Sequence, residues 1–424
     1  MRACSRQVST DTVAAIATAP GKAGVAVVRV SGPDALPIGE RLSSKKLKAN
    51  AVHFARLRAA PGGDVIDESI VLYFRAPNSF TGEDVVEFQC HGGDIAPKRV
   101  LEAVFAAGAR LARRGEFAER AFLNGKISFE EAEALLDLVN AKTDGAADDA
   151  LRRMRSAGAK ELRSAYESAL EISTSLEHTL DVDESSLPDG FFRRMQNDLR
   201  SLSEKLSKFL AGVRRTKILR DGALVALAGP PNAGKSSLLN ALVGEDRAIV
   251  SPVAGTTRDT IEQWIDIEGY PILLVDTAGL RDSHDDIETE GVKRAMEVLK
   301  RADVVLALDA DIPGALKVHS KCDISPGEGI NVSAKTLQGL EELKSAIVER
   351  VSAIEIKSDV HNLDEVISAK GSVEGAIFAC GEEGDVVLAA NFARAAADVL
   401  AKAVGASYSH DMLESLFSRF CVGK

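Results

Sequence analysis

A glycine-rich loop between an apolar run and a helical pattern is the clearest chemical feature of this sequence. Residues 229–236 read Gly-Pro-Pro-Asn-Ala-Gly-Lys-Ser and fit the phosphate-loop pattern G-x-x-x-x-G-K-[ST]. In such a loop, backbone N–H groups at the start of the following helix surround phosphate oxygens. Lys235 would reach the β- and γ-phosphates, and the Ser236 hydroxyl would hold Mg²⁺.

A second motif, Asp276-Thr277-Ala278-Gly279, directly follows the apolar run Ile272–Val275. It lies about forty residues after the phosphate loop, which favours a GTPase switch with the Asp276 carboxylate near the metal. The next residue is Leu280, where Ras-like enzymes place a Gln that orients the attacking water. Hydrolysis therefore requires another group. The acidic residues among 282–288 either offer a carboxylate or form a solvated helix start.

The candidate for base recognition is Ser320-Lys321-Cys322-Asp323. In the N-K-x-D element that it resembles, the Asp pairs with the N1 and N2 donors of guanine. Here Ser320 occupies the position of the Asn that normally braces the loop. The later Ser333-Ala334-Lys335 resembles a backbone donor loop that contacts guanine O6. The pattern favours guanine over adenine, and a surface loop without a ligand is the alternative.

Hydrophobic periodicity places these motifs in an α/β domain between helical segments. The run from Ala223 predicts a buried parallel strand, and Val304–Leu308 predicts another, with a helix around Val292–Leu299 between strands. Residues 128–220 and those after 351 follow a helical period. Short β-branched runs (Val25–Val30, Ile70–Phe74 and Val85–Cys90) and a helix at Ala96–Ala107 indicate a mixed α/β unit at the N-terminus.

Composition describes a globular, acidic protein with 45% hydrophobic residues. The 52 Lys and Arg residues against 63 Asp and Glu residues give a net charge of −11. This charge disfavours an autonomous nucleic-acid binder and leaves RNA contacts local or delegated. The five cysteines form no CxxC or metal-ligand spacing, which indicates free thiols. Pro20, Lys22 and Arg29 interrupt the early apolar stretch, so we predict no signal peptide and a cytoplasmic protein.

Several blocks of this sequence resemble the MnmE (TrmE) family of tRNA-modifying GTPases. These blocks are GPPNAGKSSLLNAL, IVSPVAGTTRD, DTAGLRDSHDDIE, the terminal FCVGK and, near the N-terminus, TAPGKAGVAVVRVSG, PNSFTGEDVVEFQCHGG and RRGEFAERAFLNGKISFEEAEA. The resemblance covers nearly the whole chain in order. It implies a multidomain fold of α/β plus all-α class: an N-terminal α/β folate-binding-like domain, a helical bundle domain and an inserted Ras-like P-loop GTPase domain.

Together, periodicity and resemblance predict four segments. Residues 1–126 would form the N-terminal folate-binding and dimerisation domain, and residues 127–222 the first part of the helical domain. Residues 223–352 would form the Ras-like G domain, called the P-loop domain below. Residues 353–424 would form the second helical part with the C-terminal Cys-Val-Gly-Lys motif.

The resemblance also implies a second ligand, 5-formyl- or methylene-tetrahydrofolate, in the N-terminal domain. Motif positions assign folate binding to Arg29, Glu87, Lys126 and Lys424. Arg29 and Lys126 suit a glutamate tail or a formyl oxygen, and Glu87 suits the N–H donors of a pterin. Cys421 occupies the position of the family's C-terminal cysteine and is expected to be catalytic.

For the P-loop domain, the resemblance implies K⁺ in place of an arginine finger. The expected K⁺ ligands are Asn232, Ser251, Val253 and Thr256. Thr257 would join Ser236 on Mg²⁺, and Glu288 would be the catalytic carboxylate that positions water. The expected GTP-binding residues are Asn232, Ala233, Gly234, Lys235, Ser236, Ser237, Ser251, Pro252, Val253, Ala254, Gly255, Thr256, Thr257, Asp276, Thr277, Ala278, Gly279, Ser320, Lys321, Asp323, Ser333, Ala334 and Lys335.

The implied function is a K⁺-activated GTPase that acts with an FAD-containing partner of the MnmG type. Together they would add an aminomethyl or carboxymethylaminomethyl group at C5 of the wobble uridine of certain tRNAs. The homodimer would join its partner in a heterotetramer, and the partner would make most tRNA contacts. Two alternatives are a regulatory or ribosome-assembly GTPase without modification chemistry, and a degenerate nucleotide module.

The chain departs from the family pattern between Val304–Leu308 and Ser320. Only ten residues separate Asp309 from Ser320, which we expect to be too few for the usual helix and strand. Together with Ser320 in place of Asn, this shortening puts guanine affinity and the stability of the P-loop domain in question.

Overall fold

The computed structural model describes residues 11–60, 62–155, 158–180, 188, 190–245, 262–277, 296–354, 363–381, 385–405 and 410–423. The chain forms two compact units. One contains Met1–Leu136 and Ser407–Lys424, and the other contains Asp137–Ala406. Within the described ranges, no helix is long and apolar enough to cross a membrane.

The first unit is built on a six-stranded sheet with the order β3-β4-β5-β2-β1-β6. Apolar residues on one face, among them Val28, Val30 and Phe88, pack against helices α1 and α2. This confirms the predicted N-terminal strands and the helix that follows them. The strands are β1 (Val13–Ile16), β2 (Val25–Ser31), β3 (Val52–Arg58), β4 (Val65–Phe74), β5 (Val85–His91) and β6 (Arg110–Leu111). The helices are α1 (Ala35–Ser43), α2 (Ala96–Ala106), α3 (Glu116–Leu123) and α4 (Phe129–Asn140).

A buried ion-pair network attaches α3 to the sheet. Glu116 is only 1% exposed, and its carboxylate accepts hydrogen bonds from Arg110 at 2.6 Å and from Arg120 at 3.1 Å. Burial raises the pKa of Glu116, but the hydrogen bonds from Arg110, from the Arg113 backbone and from Arg120 outweigh it and lower this pKa to about 2. Glu116 is therefore ionised at neutral pH and fixes the start of α3.

The last helix of the chain, α12 (His410–Ser418), belongs to the first unit. Leu416, Phe417 and Phe420 pack in one cluster with Ala118 and Phe129. The predicted segment 353–424 thus contributes helices to both units.

The helical part of the second unit combines segments from both sides of the P-loop domain. Its shared core is rich in alanine, including Ala169 of α6, Ala376 of α10 and Ala393 of α11. Alanine is the strongest helix former and lets helices approach closely. The predicted packing of the two helical blocks around an inserted domain is confirmed. These helices are α5 (Asp144–Arg155), α6 (Gly158–Thr179), α7 (Phe191–Asp221), α10 (Leu363–Ala379) and α11 (Val386–Gly405).

The P-loop domain contains a second six-stranded sheet with the order β12-β11-β10-β7-β9-β8. All neighbouring strands are parallel except the edge pair β8 and β9. Apolar residues of α8 and α9, such as Leu242 and Leu343, cover one face of the sheet. The elements are β7 (Ala223–Ala228), α8 (Lys235–Glu245), β8 (Glu262–Ile267), β9 (Tyr270–Asp276), β10 (Val304–Leu308), β11 (Leu316–His319), β12 (Ile330–Asn331) and α9 (Leu340–Ser352), with helical residues also at 296–301.

The shortened stretch after β10 contains a strand but no helix, which agrees with the expectation that it is too short for the usual helix and strand pair. β11 pairs in parallel with β10, with Leu306 opposite Leu316. The connection has seven residues, 309–315, whereas parallel strands are usually joined by a dozen or more. A turn in which the Ala315 N–H bonds the Ile312 carbonyl lets the short connection reverse direction. Only the helix is missing from this connection.

Helix α7 joins the helical core to the P-loop domain. Leu210 packs in the helical core, and Ile218 packs in the core of the P-loop domain. Beside it, the start of α5 docks on the β8–β9 turn: the Thr143 hydroxyl donates to the Gly269 carbonyl at 2.7 Å. The Lys142 ammonium lies 3.3 Å from the centre of the Trp264 ring. The turn and α5 approach so closely that a Cβ at Gly145 would lie 2.5 Å from the Gly269 oxygen.

We predict that Gly145→Ala weakens this junction, because its methyl group would press on backbone atoms that cannot rotate away. The free energy of unfolding should fall by about 1–3 kcal/mol. Denaturant unfolding followed by Trp264, the only tryptophan, measures this at the junction itself. Gly212→Ala is the matched control, because Gly212 lies in α7 with open space around it, and this change should raise stability by about 0.5–1 kcal/mol. Equal or greater stability of Gly145→Ala would contradict the prediction.

Candidate functional site

The phosphate loop has the backbone that its sequence predicts. Gly229 ends β7 with a φ of +151°, and a Cβ there would overlap the carbonyl oxygen of Leu308, so only glycine fits. Asn232 and Gly234 also have positive φ, at 64° and 85°. Lys235, 5% exposed, donates to the carbonyls of Gly229 at 3.0 Å and Pro230 at 2.7 Å. The ammonium is therefore held within the loop, and Lys235 is also the first residue of α8.

The structure brings together Ser236 and Asp276, the predicted Mg²⁺-site residues that it describes. The Ser236 hydroxyl donates to the Asp276 carboxylate at 2.5 Å, across from the first turn of α8 to the end of β9. A hydroxyl and a carboxylate are oxygen ligands suited to Mg²⁺. The Thr277 hydroxyl is not part of this pair, because it donates to the Leu227 carbonyl at 2.7 Å. No cluster of three His, Cys, Asp or Glu side chains that could hold a metal occurs among the described residues.

The predicted base-reading loop lies beside the phosphate loop. Lys321 donates from its ammonium to the Asn232 carbonyl at 3.0 Å. Asp323 is exposed within a turn closed by the hydrogen bond from the Ile324 N–H to the Lys321 carbonyl. Three predicted elements thus meet at one edge of the sheet: the phosphate loop, Asp276 and residues 320–323, called the SKCD loop below.

The SKCD loop is tied to the predicted Ser333-Ala334-Lys335 loop. The Cys322 N–H donates to the Val332 carbonyl at 3.1 Å, and the Val332 N–H donates to the His319 carbonyl at 2.8 Å. Ser333 is fully buried and accepts the Thr336 N–H on its hydroxyl. These bonds fix the spacing between the two loops that would surround a base.

Several predicted site residues lie outside the described residues, so their placement stays a prediction. They are Ser251, Pro252, Val253, Ala254, Gly255, Thr256, Thr257, Ala278, Gly279, Leu280, Glu288 and Lys424.

The first unit holds a second constellation, in which Arg29 and Glu87 pair across strands β2 and β5. They are register partners, and the Arg29 Nε lies 2.8 Å from the Glu87 carboxylate. The guanidinium also lies 5.7 Å from the ring centres of Phe80 and Phe117. A carboxylate and two aromatic rings therefore fix the orientation of Arg29.

Lys126, in the connection between α3 and α4, packs against the loop between β4 and β5 that contributes Phe80. Its ammonium donates to the Pro77 carbonyl at 3.0 Å, and its side chain passes close to Gly82. The structure therefore places Lys126 and Arg29 against the same loop, residues 77–82, without a direct contact between the two side chains among the described contacts.

The C-terminal tail reaches the same constellation. The Gly423 carbonyl lies 3.5 Å from the Arg29 guanidinium, and Val422 forms a β-bridge with Arg114. Cys421 is exposed at this point. By contrast, Cys90 is buried in the sheet core, where desolvation raises the pKa of its thiol to about 11. Among the described cysteines, Cys421 is therefore the exposed one, and it lies two residues before the glycine that contacts Arg29.

Reasoning from the sequence missed two residues, Asp309 and His319, at the edge of the sheet where the phosphate loop and the SKCD loop lie. We call this the nucleotide edge. Asp309 follows β10, and both of its oxygens hold the start of the SKCD loop. The available signal was an acidic residue directly after a buried apolar run, the same pattern that marked Asp276.

Comparisons with known proteins agree with this geometry. A family model described as "GTP-binding protein TrmE N-terminus" matches residues 12–126, and one described as "MnmE helical domain" matches residues 129–421. The "tRNA modification GTPase MnmE" of Xanthomonas campestris pv. campestris (strain B100) is 38% identical over 449 residues, covering 98% of this chain and 99% of that protein. The protein of the same name from Geobacillus kaustophilus (strain HTA426) is 35% identical over 458 residues, with the same two coverages.

A solved structure of the FeoB G domain from Methanococcus jannaschii matches 30% of this chain and 97% of its own, at 25% identity. The TM-score of this match is 0.23.

The strand order, the phosphate loop and the Ser236–Asp276 pair define a P-loop protein of the GTPase class, with its nucleotide domain inserted between helical segments. Given the family-model matches and the near full-length relatives, the chain belongs to the MnmE family. The resemblance predicted from the sequence is confirmed, and so are the fold class and the GTPase class.

We predict that Gly423→Ala displaces the C-terminal tail. Gly423 has a φ of +104°, and a Cβ there would overlap the carbonyl oxygen of Ile16. Digestion of the C-terminus by a carboxypeptidase should accelerate by at least about tenfold, because strain of one to a few kcal/mol opposes the docked tail. Gly108→Ala controls for backbone strain alone, since Gly108 has a φ of +117° with open space around it. Equal digestion rates for Gly423→Ala and wild type would show that the tail does not depend on this contact.

Proposed function

We propose that this chain hydrolyses GTP as part of a tRNA-modifying enzyme. The observation that carries the proposal is the coexistence of two sites in one chain. The Ser236–Asp276 pair lies next to the phosphate loop. In the Arg29–Glu87 pair, Arg29 is contacted by the C-terminal tail. A regulatory switch has no use for the second site. Membership in a family whose curated members are named tRNA modification GTPases supports the same reading.

In the first site, the chain's own groups would bind and orient the triphosphate. The N–H groups at the start of α8 and the Lys235 ammonium meet phosphate oxygens. Ser236 and Asp276 would hold Mg²⁺, with Thr257 as a further ligand. When bound, Mg²⁺ neutralises charge that develops on the phosphates. Asp323 would accept the N1 and N2 protons of guanine, and the loop of Ser333, Ala334 and Lys335 would donate to O6.

We also propose that K⁺ activates hydrolysis in this protein. Leu280 cannot hydrogen-bond water, so the transition state needs positive charge and water positioning from elsewhere. Asn232, exposed at the top of the phosphate loop, would bind the ion together with Ser251, Val253 and Thr256. Glu288 would position the attacking water. The ion supplies the charge that an arginine finger supplies in other GTPases.

In the second site, we propose a tetrahydrofolate that carries the one-carbon unit. Arg29 and Lys126 would bind a carboxylate or formyl oxygen. Glu87 uses one carboxylate oxygen for Arg29 in the described contacts, and its other oxygen suits a pterin N–H donor. Lys424 would close the site beside Cys421, the proposed catalytic thiol.

We propose that the chain works as a homodimer bound to an FAD-containing partner of the MnmG type. The modified atom would be C5 of the wobble uridine, with an aminomethyl or carboxymethylaminomethyl group as the product. The net charge of −11 fits a division in which the partner makes most tRNA contacts.

We predict that Cys421→Ser abolishes or sharply reduces wobble-uridine modification and leaves GTP hydrolysis unchanged. Cys421 belongs to the N-terminal unit, whereas Ser236 and Asp276 belong to the other unit. Nucleoside analysis of tRNA from a deletion strain complemented with each variant measures the first effect, and phosphate release measures the second. Ser418→Ala is the matched control, because Ser418 is exposed at the end of α12, three residues before Cys421, and its hydroxyl bonds only the Ser415 carbonyl among the described contacts. Normal tRNA together with lost GTPase activity would contradict the assignment.

We predict that wild-type turnover of GTP is at least about tenfold faster in KCl than in NaCl, because K⁺ would replace part of an arginine finger worth about 10³–10⁵ in rate. Asn232→Gly should remove this difference, since it deletes the side-chain oxygen and tolerates the φ of 64°. Phosphate release at fixed Mg²⁺ and GTP measures both, with GDP affinity as the control for binding. Equal wild-type turnover in the two salts would exclude the cation mechanism.

A further inference from the structure

Asp309 braces the start of the SKCD loop. The Ser320 hydroxyl donates to one Asp309 oxygen at 2.6 Å, and the Ser320 N–H donates to the other at 3.3 Å. Ser320 is only 8% exposed, whereas the Asp309 side chain is 31% exposed, so these bonds are partly buried. The backbone of Asp309 is itself fixed, because its N–H donates to the Val318 carbonyl at 3.0 Å. The carboxylate thus links the end of β10 to the residue that opens the loop.

His319 extends this brace to the far side of the loop. Its Nδ1 lies 2.8 Å from the Asp309 carboxylate, and its Nε2 lies 2.9 Å from the Ser325 carbonyl. Gly327 packs so closely on the imidazole that a Cβ there would overlap the ring. Asp309 therefore holds Ser320 directly and the residues after Asp323 through His319.

Asp323 lies between these two fixed points. The turn that carries it begins at Lys321, which has a φ of 58°, and closes with the Ile324 N–H on the Lys321 carbonyl. Lys321 also bonds the phosphate loop at Asn232. A shift of Ser320 would therefore move the Asp323 carboxylate relative to the phosphates.

This chain needs the brace because of its own departures from the family pattern. The Ser320 hydroxyl has one proton to donate, and it gives that proton to Asp309. The seven-residue connection after β10, residues 309–315, contains no helix that could pack on that side of the loop. Burial raises the pKa of Asp309, but the hydrogen bonds from Ser320 and the proximity of His319 outweigh it and keep this pKa below its ordinary value. The acceptor is therefore a carboxylate, which makes stronger hydrogen bonds than a neutral group.

We propose that Asp309 is a positioning residue for base selection, which holds the Asp323 turn in its guanine-reading position through Ser320 and His319. This inference rests on the proposed GTP site and adds the residue that sets its specificity. Asp309 touches no phosphate-loop atom in the described contacts, so its effect should appear in base discrimination and not in phosphate binding.

The test compares the affinities of GDP, ADP and inorganic tripolyphosphate by calorimetry on the full chain. Asp309→Asn tolerates the left-handed φ of 49° but loses the charge and one acceptor oxygen. We expect its GDP affinity and its preference for GDP over ADP to fall about tenfold, with tripolyphosphate affinity unchanged. Ser320→Ala should produce a similar loss. The double variant should lose little more, because both changes break the same hydrogen bond between the Ser320 hydroxyl and Asp309.

Asp311→Asn is the matched control, because it removes the same charge two residues away. Its side chain is 86% exposed and pairs with Lys317 at 3.2 Å, not with the loop. It should keep the wild-type preference for GDP.

An unchanged GDP preference in both Asp309→Asn and Ser320→Ala would contradict the role of Asp309 and leave the proposed GTP site standing. An equal loss for all three ligands would also contradict this role, because it would show general damage to the fold. No preference for GDP in the wild type would remove the proposed guanine site, and this inference with it.

Discussion

The parallel pairing of β7, β9, β10 and β11 is the constraint on which the nucleotide site depends. In a parallel sheet, all strands end at the same edge, so the residues that follow them converge there. Gly229, Asp276, Asp309 and Ser320 each come at or directly after the end of one of these strands. Leu227 is the register partner of Asp276, and Leu308 is that of Val318. Residues far apart in the sequence therefore meet within hydrogen-bond distance.

The helical core attaches to the opposite edge of this sheet. α7 enters at the start of β7, and α5 docks on the β8–β9 turn at the start of β9. Gly222 joins α7 to β7 with a φ of +79°, and a Cβ there would lie 2.5 Å from the Trp264 ring. The close packing at this edge fixes the P-loop domain to the helices. The loops that would bind the nucleotide lie at the other edge of the sheet.

The sequence allowed prediction of the parts of the site that local rules determine, and not of those that register determines. The phosphate loop and Asp276 were predictable, because glycine spacing and an acidic residue after an apolar run are local patterns. The Arg29–Glu87 pair was assigned only by family resemblance, since its contact depends on the register of β2 and β5. The Asp309–Ser320 bond was not predicted, because it follows from the pairing of β10 with β11. We judged that connection too short for the usual helix and strand pair, and did not predict that the strand would remain and pair with β10.

The loss of a helix after β10 changes which interactions hold β11 in place. Exposed ion pairs on this side, such as Lys317 with Asp311 and with Glu328, contribute little to stability because water screens them. β11 is then held by its ladder with β10, by the short β12 and by the hydrogen bonds of Asp309. The same carboxylate therefore supports an outer strand of the sheet and the loop that would read the base. Because the connection after β10 contains no helix, the loop that we propose as the base reader depends on the Asp309 hydrogen bonds for its position.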